Sequence, residues 1–263
     1  MSQSRNRQET ATGGQTAGYS STNPVTTLFE VRLANSPALL EKAHRLRYDV
    51  YCVEQGLESP DHHPDGLERD EYDGHSVQSV LIHRQSGIVA GVARLILPWH
   101  EGQERPLPFH QACARNSKPH PSPLLATAEA SRLLISREFV RHANRYMKRR
   151  ASGADRNTKD YPAHSPVQNL LYGLIASIAQ MSAPHDITHI CALMRPALRR
   201  LLSRLDIHLQ CHGPMVDYHG WRQPCLVALD DVSKAVAQSR PDLWEIMFVA
   251  GRLWHSSFEA RVA

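Results

Sequence analysis

The stretch Leu46-Arg47-Tyr48-Asp49-Val50-Tyr51-Cys52-Val53-Glu54, running into a loop that closes with Glu68-Arg69-Asp70-Glu71-Tyr72-Asp73, organises this chain. The first part ends an apolar helix, and the second crowds carboxylates together. Carboxylates held this close repel one another, so a chain that keeps them has a cation, an amine or a proton to manage there. Upstream, Ser36-Pro37 offers an N-cap and a proline at the first helical position, followed by Leu39, Ala43, Leu46, Val50 and Val53 at spacings of four and three. Arg47 and Tyr51 lie four apart on a neighbouring face that can look into a cleft.

Downstream, Val77 to His83 and Ile88 to Leu97 are β-prone runs joined by Arg84-Gln85-Ser86-Gly87, a hairpin signal. In strand alternation Arg94 shares a face with Ile88, Ala90, Val92 and Ile96. An arginine on an apolar face needs a carboxylate, because an unpaired buried charge is costly. The acidic loop is the nearest source, either for a structural ion pair at the core's edge or for a site. Glu129 and Arg132 flank a third strand, Ser131 to Ser136, and a bulge or helical turn would bring the two to one side.

Around these pieces, Thr27 to Ala34 alternates as a first strand, and Met1 to Thr26 is polar enough to be a disordered tail. Trp99 to Pro123 lacks periodicity and reads as a surface excursion, Arg137 to Arg150 as a basic helix, and Ala151 to Ala163 as a polar, mobile insertion. Ser165-Pro166-Val167-Gln168 is a capping box ahead of an apolar stripe of Val167, Leu170, Leu171, Leu174, Ile178 and Met181. A strand at Thr188 to Met194, a basic helix at Pro196 to Leu205, strands at Ile207 to Cys211 and Leu226 to Leu229, and a helix around Asp242 to Trp254 complete the chain. The sum is a mixed α/β sheet packed by helices, in one domain from residue 27 to 263.

Composition narrows the chemistry. With 263 residues, 41% hydrophobic and 21% charged, the chain can bury a full core. Its longest apolar run, Leu170 to Met181, is too short to span a bilayer, and no signal-peptide pattern opens it. Five widely spaced cysteines without Cys-x-x-Cys argue against a disulfide framework or structural zinc, so a reducing cytoplasm is expected. A net charge of +4 does not call for nucleic acid. Asp61-His62-His63-Pro64-Asp65 matches no metal-ligand spacing, and neither Gly-x-Ser-x-Gly nor a dinucleotide fingerprint occurs.

Taken in order, Leu46-Arg47-Tyr48-Asp49-Val50-Tyr51, Glu68-x-Asp70-x-x-Asp73, Gly91-Val92-Ala93-Arg94-Leu95, Phe109 and Glu129-x-x-Arg132 resemble the motif set of the acyl-homoserine lactone (autoinducer) synthases. Those belong to the GNAT-like acyltransferases, with the long-chain N-acyl amino acid synthases. In the second half, Met194-Arg195-Pro196 and Gly213-Pro214-Met215-Val216-Asp217-Tyr218-His219-Gly220-Trp221-Arg222-Gln223-Pro224 look like the acyltransferases associated with PEP-CTERM/exosortase systems. Tyr51 replaces the synthases' usual phenylalanine, and Leu57 or a neighbour stands near the position of their tryptophan. With the long segment Arg137 to Pro166, these departures weigh against S-adenosylmethionine as substrate.

The resemblance implies a GNAT-like fold, with a mostly antiparallel twisted sheet flanked by helices. It implies transfer of a medium or long fatty acyl group from acyl carrier protein to the amine of a small molecule, an amino acid, without a cofactor or covalent nucleophile. Coenzyme A is the less favoured donor, because the Arg/Gln-x-x-Gly-x-Gly/Ala pyrophosphate loop is absent. Glu68 or Glu129 would take the ammonium proton, with Arg94 in the catalytic set; Arg47, Tyr51, Asp70, Asp73, Phe109 and Arg132 would bind substrate. Arg137, Arg141, Arg145, Lys148 and Arg149, with Arg195 and Arg199, form basic faces for docking the acidic carrier. The alternatives are an acyl-homoserine lactone synthase using S-adenosylmethionine, and a non-catalytic acyl-carrier-binding module.

Overall fold

A computed structural model describes residues 24–99, 106–114, 126–152 and 165–245. Most of the expected tail, most of the polar insertion, much of the Trp99 to Pro123 excursion and the end of the last helix lie outside these residues.

Helix α1 (Pro24–Leu28) precedes strand β1 (Phe29–Leu33), which corrects both the end of the tail and the start of the first strand. Val25 and Leu28, three apart, are buried, and packing against Gly173 overrides the alternating pattern. A Cβ on Gly173 would meet Val25 Cγ1 at 2.9 Å and Leu81 Cδ2 at 2.7 Å, so only glycine admits this approach.

Helix α2 (Pro37–Tyr48) begins as expected, with the Ser36 side chain accepting from Leu39 N–H at 3.4 Å and proline in the first turn. It runs into a π-helical segment, Asp49–Glu54, in which Gln55 N–H bonds Val50 O five residues back. The wider turn rotates the apolar stripe. Val53, expected on the buried face, is therefore 67% exposed, while Val50 and Cys52 are buried.

Strands β2 (Ser76–His83) and β3 (Val89–Ile96) form the expected hairpin, and β1 pairs with β2. Their register steps from Leu81↔Gly91 to Ile82↔Val89, leaving Ala90 as an extra residue. This bulge corrects the expected face: Ala90 packs with Ala93 and Leu95, and Ile88 rests against that same cluster, whereas Val92 packs towards α2. Helix α3 (Pro108–Ala114), unexpected within the excursion, buries Phe109 and Cys113, four apart, beside Leu107.

Strand β4 (Thr127–Ile135) is longer than expected and is followed by the basic helix α4 (Arg137–Ala151). Helix α5 (Pro166–Ser182) has the capping box in full, Ser165 Oγ accepting from Gln168 N–H and Gln168 Oε1 from Ser165 N–H. Strand β5 (His189–Met194), helix α6 (Pro196–Ser203) and the two-residue strands β6 (Gln210–Cys211) and β7 (Val216–Asp217) follow, α6 and β6 both shorter than expected. Strand β8 (Trp221–Ala228) starts within the turn-rich stretch and contains Pro224, whose carbonyl still accepts from His212 N–H. Leu229 opens helix α7 (Leu229–Ser239), which the sequence reading lacked, and α8 (Pro241–Trp244) closes the described chain.

The sheet order is β1-β2-β3-β4-β5-β8-β6, with β7 paired to β8. Every pairing is antiparallel except β4 with β5, which bond only from Thr127 to Glu129. Beyond Glu129 the two strands part. Helix α2 covers one face through Val80, Val92 and Leu134, and α1, α4 and α5 cover the other around Phe29, Leu81, Phe139 and Leu170. The gap between β4 and β5 joins the two sides.

Candidate active site

Three arginines from three elements converge on the acidic loop. Arg47, on α2 and wholly buried, donates Nε to Glu68, Nη1 to Asp73 Oδ1 at 2.5 Å and to Gln78 Oε1 at 3.1 Å, and Nη2 to Asp73 Oδ2 at 3.0 Å. Arg94 on β3 donates Nη1 to Asp70 at 2.6 Å and Asp73 at 2.9 Å, and Nε to Ser131 Oγ at 3.0 Å. Arg132 on β4 donates Nη2 to Glu68 at 2.7 Å and Asp70 at 3.1 Å, its guanidinium 4.5 Å from the centre of the Tyr51 ring.

Local geometry makes this convergence possible. The β3–β4 register steps from Val92↔Leu134 to Arg94↔Ser131, so β4 carries one extra residue beside Arg132, whose φ is 49°. This bulge turns Arg132 towards the loop that Arg94 also reaches. The loop itself is wound tightly: Asp70 N–H bonds Asp73 Oδ2 at 2.8 Å, and Tyr72 N–H bonds Asp70 Oδ1 at 2.9 Å.

The charges of Arg47, Arg94 and Arg132 match those of Glu68, Asp70 and Asp73. Burial opposes ionisation of Glu68, but Arg132 and Arg47 outweigh it and hold the carboxyl down to about 2. Arg47 and Arg94 likewise overcome burial at Asp73, also down to about 2, and Arg94 and Arg132 lower Asp70.

Glu129 is the fourth carboxylate and has a different setting. It is 2% exposed, its Oε2 accepts from Phe109 N–H at 2.8 Å, and among the described residues no guanidinium lies within ion-pair distance. Burial pushes it up to about 7, against the pull of the Phe109 amide and of the more distant Arg94 and Arg132. Phe109 contributes its backbone here, its ring being buried beside Cys191 and Leu226.

Glu129, Arg132 and Tyr51 line a cavity of about 260 Å³ that fills the gap between β4 and β5. Its wall is largely apolar, built by Ile175 and Ile178 of α5, Ala192 and Met194 of β5, Leu198 and Leu202 of α6, and Val227 of β8. Residues outside the expected set also reach it. Tyr218, His219 and Arg222 line the cavity from the β7–β8 hairpin, and His219 lies 3.3 Å from Glu58 of the acidic loop. Burial, and then the nearby charge of Glu129, pushes the Tyr218 hydroxyl up to about 12. The polar, aromatic composition of this stretch was the only sequence signal for it, whereas Gln78, a buried polar residue on an apolar strand, binds Arg47 and Asp73.

Of the basic groups, Arg137, Arg141, Arg145, Lys148 and Arg149 are exposed along α4, with Arg137 paired to Glu54. Arg195 lines the cavity and donates to Gln55, next in the chain to the Glu54 that pairs with Arg137, and Arg199 donates to Cys211 Sγ at 3.1 Å. Among the described residues no group of His, Cys, Asp and Glu is disposed to hold a metal, and no helix is long and apolar enough to cross a membrane.

The family described as acetyltransferase (GNAT) domain matches residues 46–148, which hold the whole ion network and Glu129. The fold is GNAT-like. Among solved structures, this GNAT-like chain superposes on TofI, determined in a ternary complex with an inhibitor and MTA, with a TM-score of 0.55 and 18% identity over 81% of this chain and 96% of that one. It is similar to MesI, a CoA-dependent acyl-homoserine lactone synthase, with a TM-score of 0.50 and 16% identity over 79% and 95% of the two chains. FeeM, an N-acyl amino acid synthase from uncultured soil microbes, aligns with a TM-score of 0.49 and 14% identity over 80% and 97%. No curated protein matches the chain.

Proposed function

We propose that this protein is an N-acyltransferase moving a medium or long fatty acyl group from an acyl carrier protein thioester to the amine of a small acceptor, an amino acid. The observation that carries the reading is Glu129, a buried carboxylate near neutrality on the wall of an apolar cavity inside a GNAT-like sheet. A general base works best when its pKa lies near the working pH, and Glu68, bound by Arg47 and Arg132, is far from that value.

The acyl chain lies in the apolar gap, with the thioester carbonyl beside β4. Glu129 takes a proton from the acceptor ammonium, directly or through water. The free amine attacks the carbonyl carbon, and the tetrahedral intermediate collapses as the C–S bond breaks, the nitrogen giving up its remaining extra proton to the departing carrier thiolate. Because β4 and β5 part after Glu129, β4 amides beyond that point lack ladder partners in β5, and they serve as oxyanion donors. Arg47, Arg94 and Arg132 with their carboxylates hold this wall rigid. The exposed basic face of α4 receives the acidic carrier. Association with an exosortase-dependent sorting system rests on the resemblance of the second half alone.

Mass spectrometry of lipid extracts from cells expressing the protein or its Glu129→Gln variant tests this. An N-acyl amino acid present only with the unaltered protein is the expected result. A homoserine lactone product would replace the amino-acid acceptor with S-adenosylmethionine, and the absence of any Glu129-dependent acylated amine would leave a carrier-binding module.

A further inference from the structure

The cavity carries two positive charges that the ion network leaves unmatched. Arg222, on β8 and 8% exposed, lines it and is held by backbone carbonyls, donating Nη2 to His219 O at 2.8 Å and Nε to Tyr218 O at 3.3 Å. Arg195, following β5, lines the same cavity and donates to Gln55. Among the described residues neither has a carboxylate within ion-pair distance, in contrast to Arg47, Arg94 and Arg132. Burial, and after it the charge of Arg195, lowers the pKa of Arg222, as expected where two guanidiniums face one space. A buried guanidinium such as Arg222 is completed by an anion, and Arg195, which is exposed, adds its charge to the same cavity.

We propose that Arg222 and Arg195 form an anionic subsite that binds the carboxylate of the acceptor while its amine faces Glu129. This rests on the reading of the cavity as the acyl-transfer site and adds the basis on which an amino acid is chosen over a simple amine. The hairpin that fixes Arg222 also carries Tyr218, and Glu129, Tyr218, Arg222 and Arg195 all line the one cavity, so the subsite and the base open onto the same space. An α-amino acid has its carboxylate one carbon from its amine and spans such neighbours. The phosphodiester of a carrier arm is separated from the reacting carbonyl by the whole pantetheine unit and does not. Each charge of the zwitterion then meets its opposite.

The test is calorimetric titration of the full chain with N-dodecanoylglycine and N-dodecanoylglycinamide, which share an acyl chain and differ in the carboxylate. The unaltered protein should bind the acid about tenfold more tightly than the amide. Arg195→Gln and Arg222→Gln should each abolish that preference while leaving amide affinity within roughly twofold, and Arg222→Lys should retain part of it. Equal affinity of the unaltered protein for acid and amide overturns the subsite and leaves the acyl cavity standing. Loss of both ligands in both glutamine variants also overturns it. Binding of neither ligand to the unaltered protein overturns the acyl cavity and the subsite with it.

Discussion

Two glutamates with the same side chain end in opposite states. Glu68 receives two guanidiniums and is held at about 2, and Glu129 receives one amide and is pushed to about 7. Glu129→Gln should therefore lower kcat/KM by roughly 10²- to 10⁴-fold with little change in fold, as read by steady-state kinetics and circular dichroism. Because the base acts when ionised, the unaltered enzyme should gain activity as pH rises through about 7, and the variant's residual rate should lack that limb. Arg47→Ala has a different outcome. It takes one of two guanidiniums from each of Glu68 and Asp73, and should cost about 3–5 kcal/mol in urea unfolding, a large part of a domain's stability.

At the level of elements, two irregularities aim the side chains. The π-helical segment after α2 sets the direction of Tyr51 relative to Arg47, and the β4 bulge turns Arg132 towards Glu68. The parting of β4 and β5 makes room for the apolar cavity. Ala192→Phe, on the β5 wall, should shorten the longest acyl chain accepted while short-chain turnover persists, which product profiling by mass spectrometry would read directly. Cap chemistry is separable from the site. Ser165→Ala should cost about 1 kcal/mol and lower Tm by about 2–4 °C without changing KM.

Across the whole molecule, the ion network couples stability to pH. Glu68 and Asp73 are held at about 2 in the fold against ordinary values of 4.5 and 3.8. A depressed carboxyl pKa stabilises the fold above the ordinary value, and that contribution is lost as pH falls through the folded one. The urea midpoint should thus fall steeply between about pH 4.5 and 2, and less steeply in Arg47→Ala. Glu129 has the opposite sign, since its raised value contributes stability below the ordinary 4.5 that is lost as pH rises through about 7.

The sequence by itself determined the local pieces: the Ser36 and Ser165 caps, the β2–β3 hairpin, the apolar stripe of α5, and the need of Arg94 for a carboxylate from the acidic loop. These follow from spacing and side-chain chemistry within a few residues, or from a charge too costly to bury alone. Helix α7, the turn before β1 and the helix holding Phe109 were not legible, because their short apolar patterns acquire meaning only against α5, β5 and β8. Only the tertiary structure separated the two glutamates, Glu68 held down by guanidiniums and Glu129 raised by burial. The seven-residue element carrying Phe109 brings one amide to Glu129, while two strands and a helix bring guanidiniums to Glu68, Asp70 and Asp73. Such differences of environment arise from contacts between residues tens of positions apart, which no local pattern encodes.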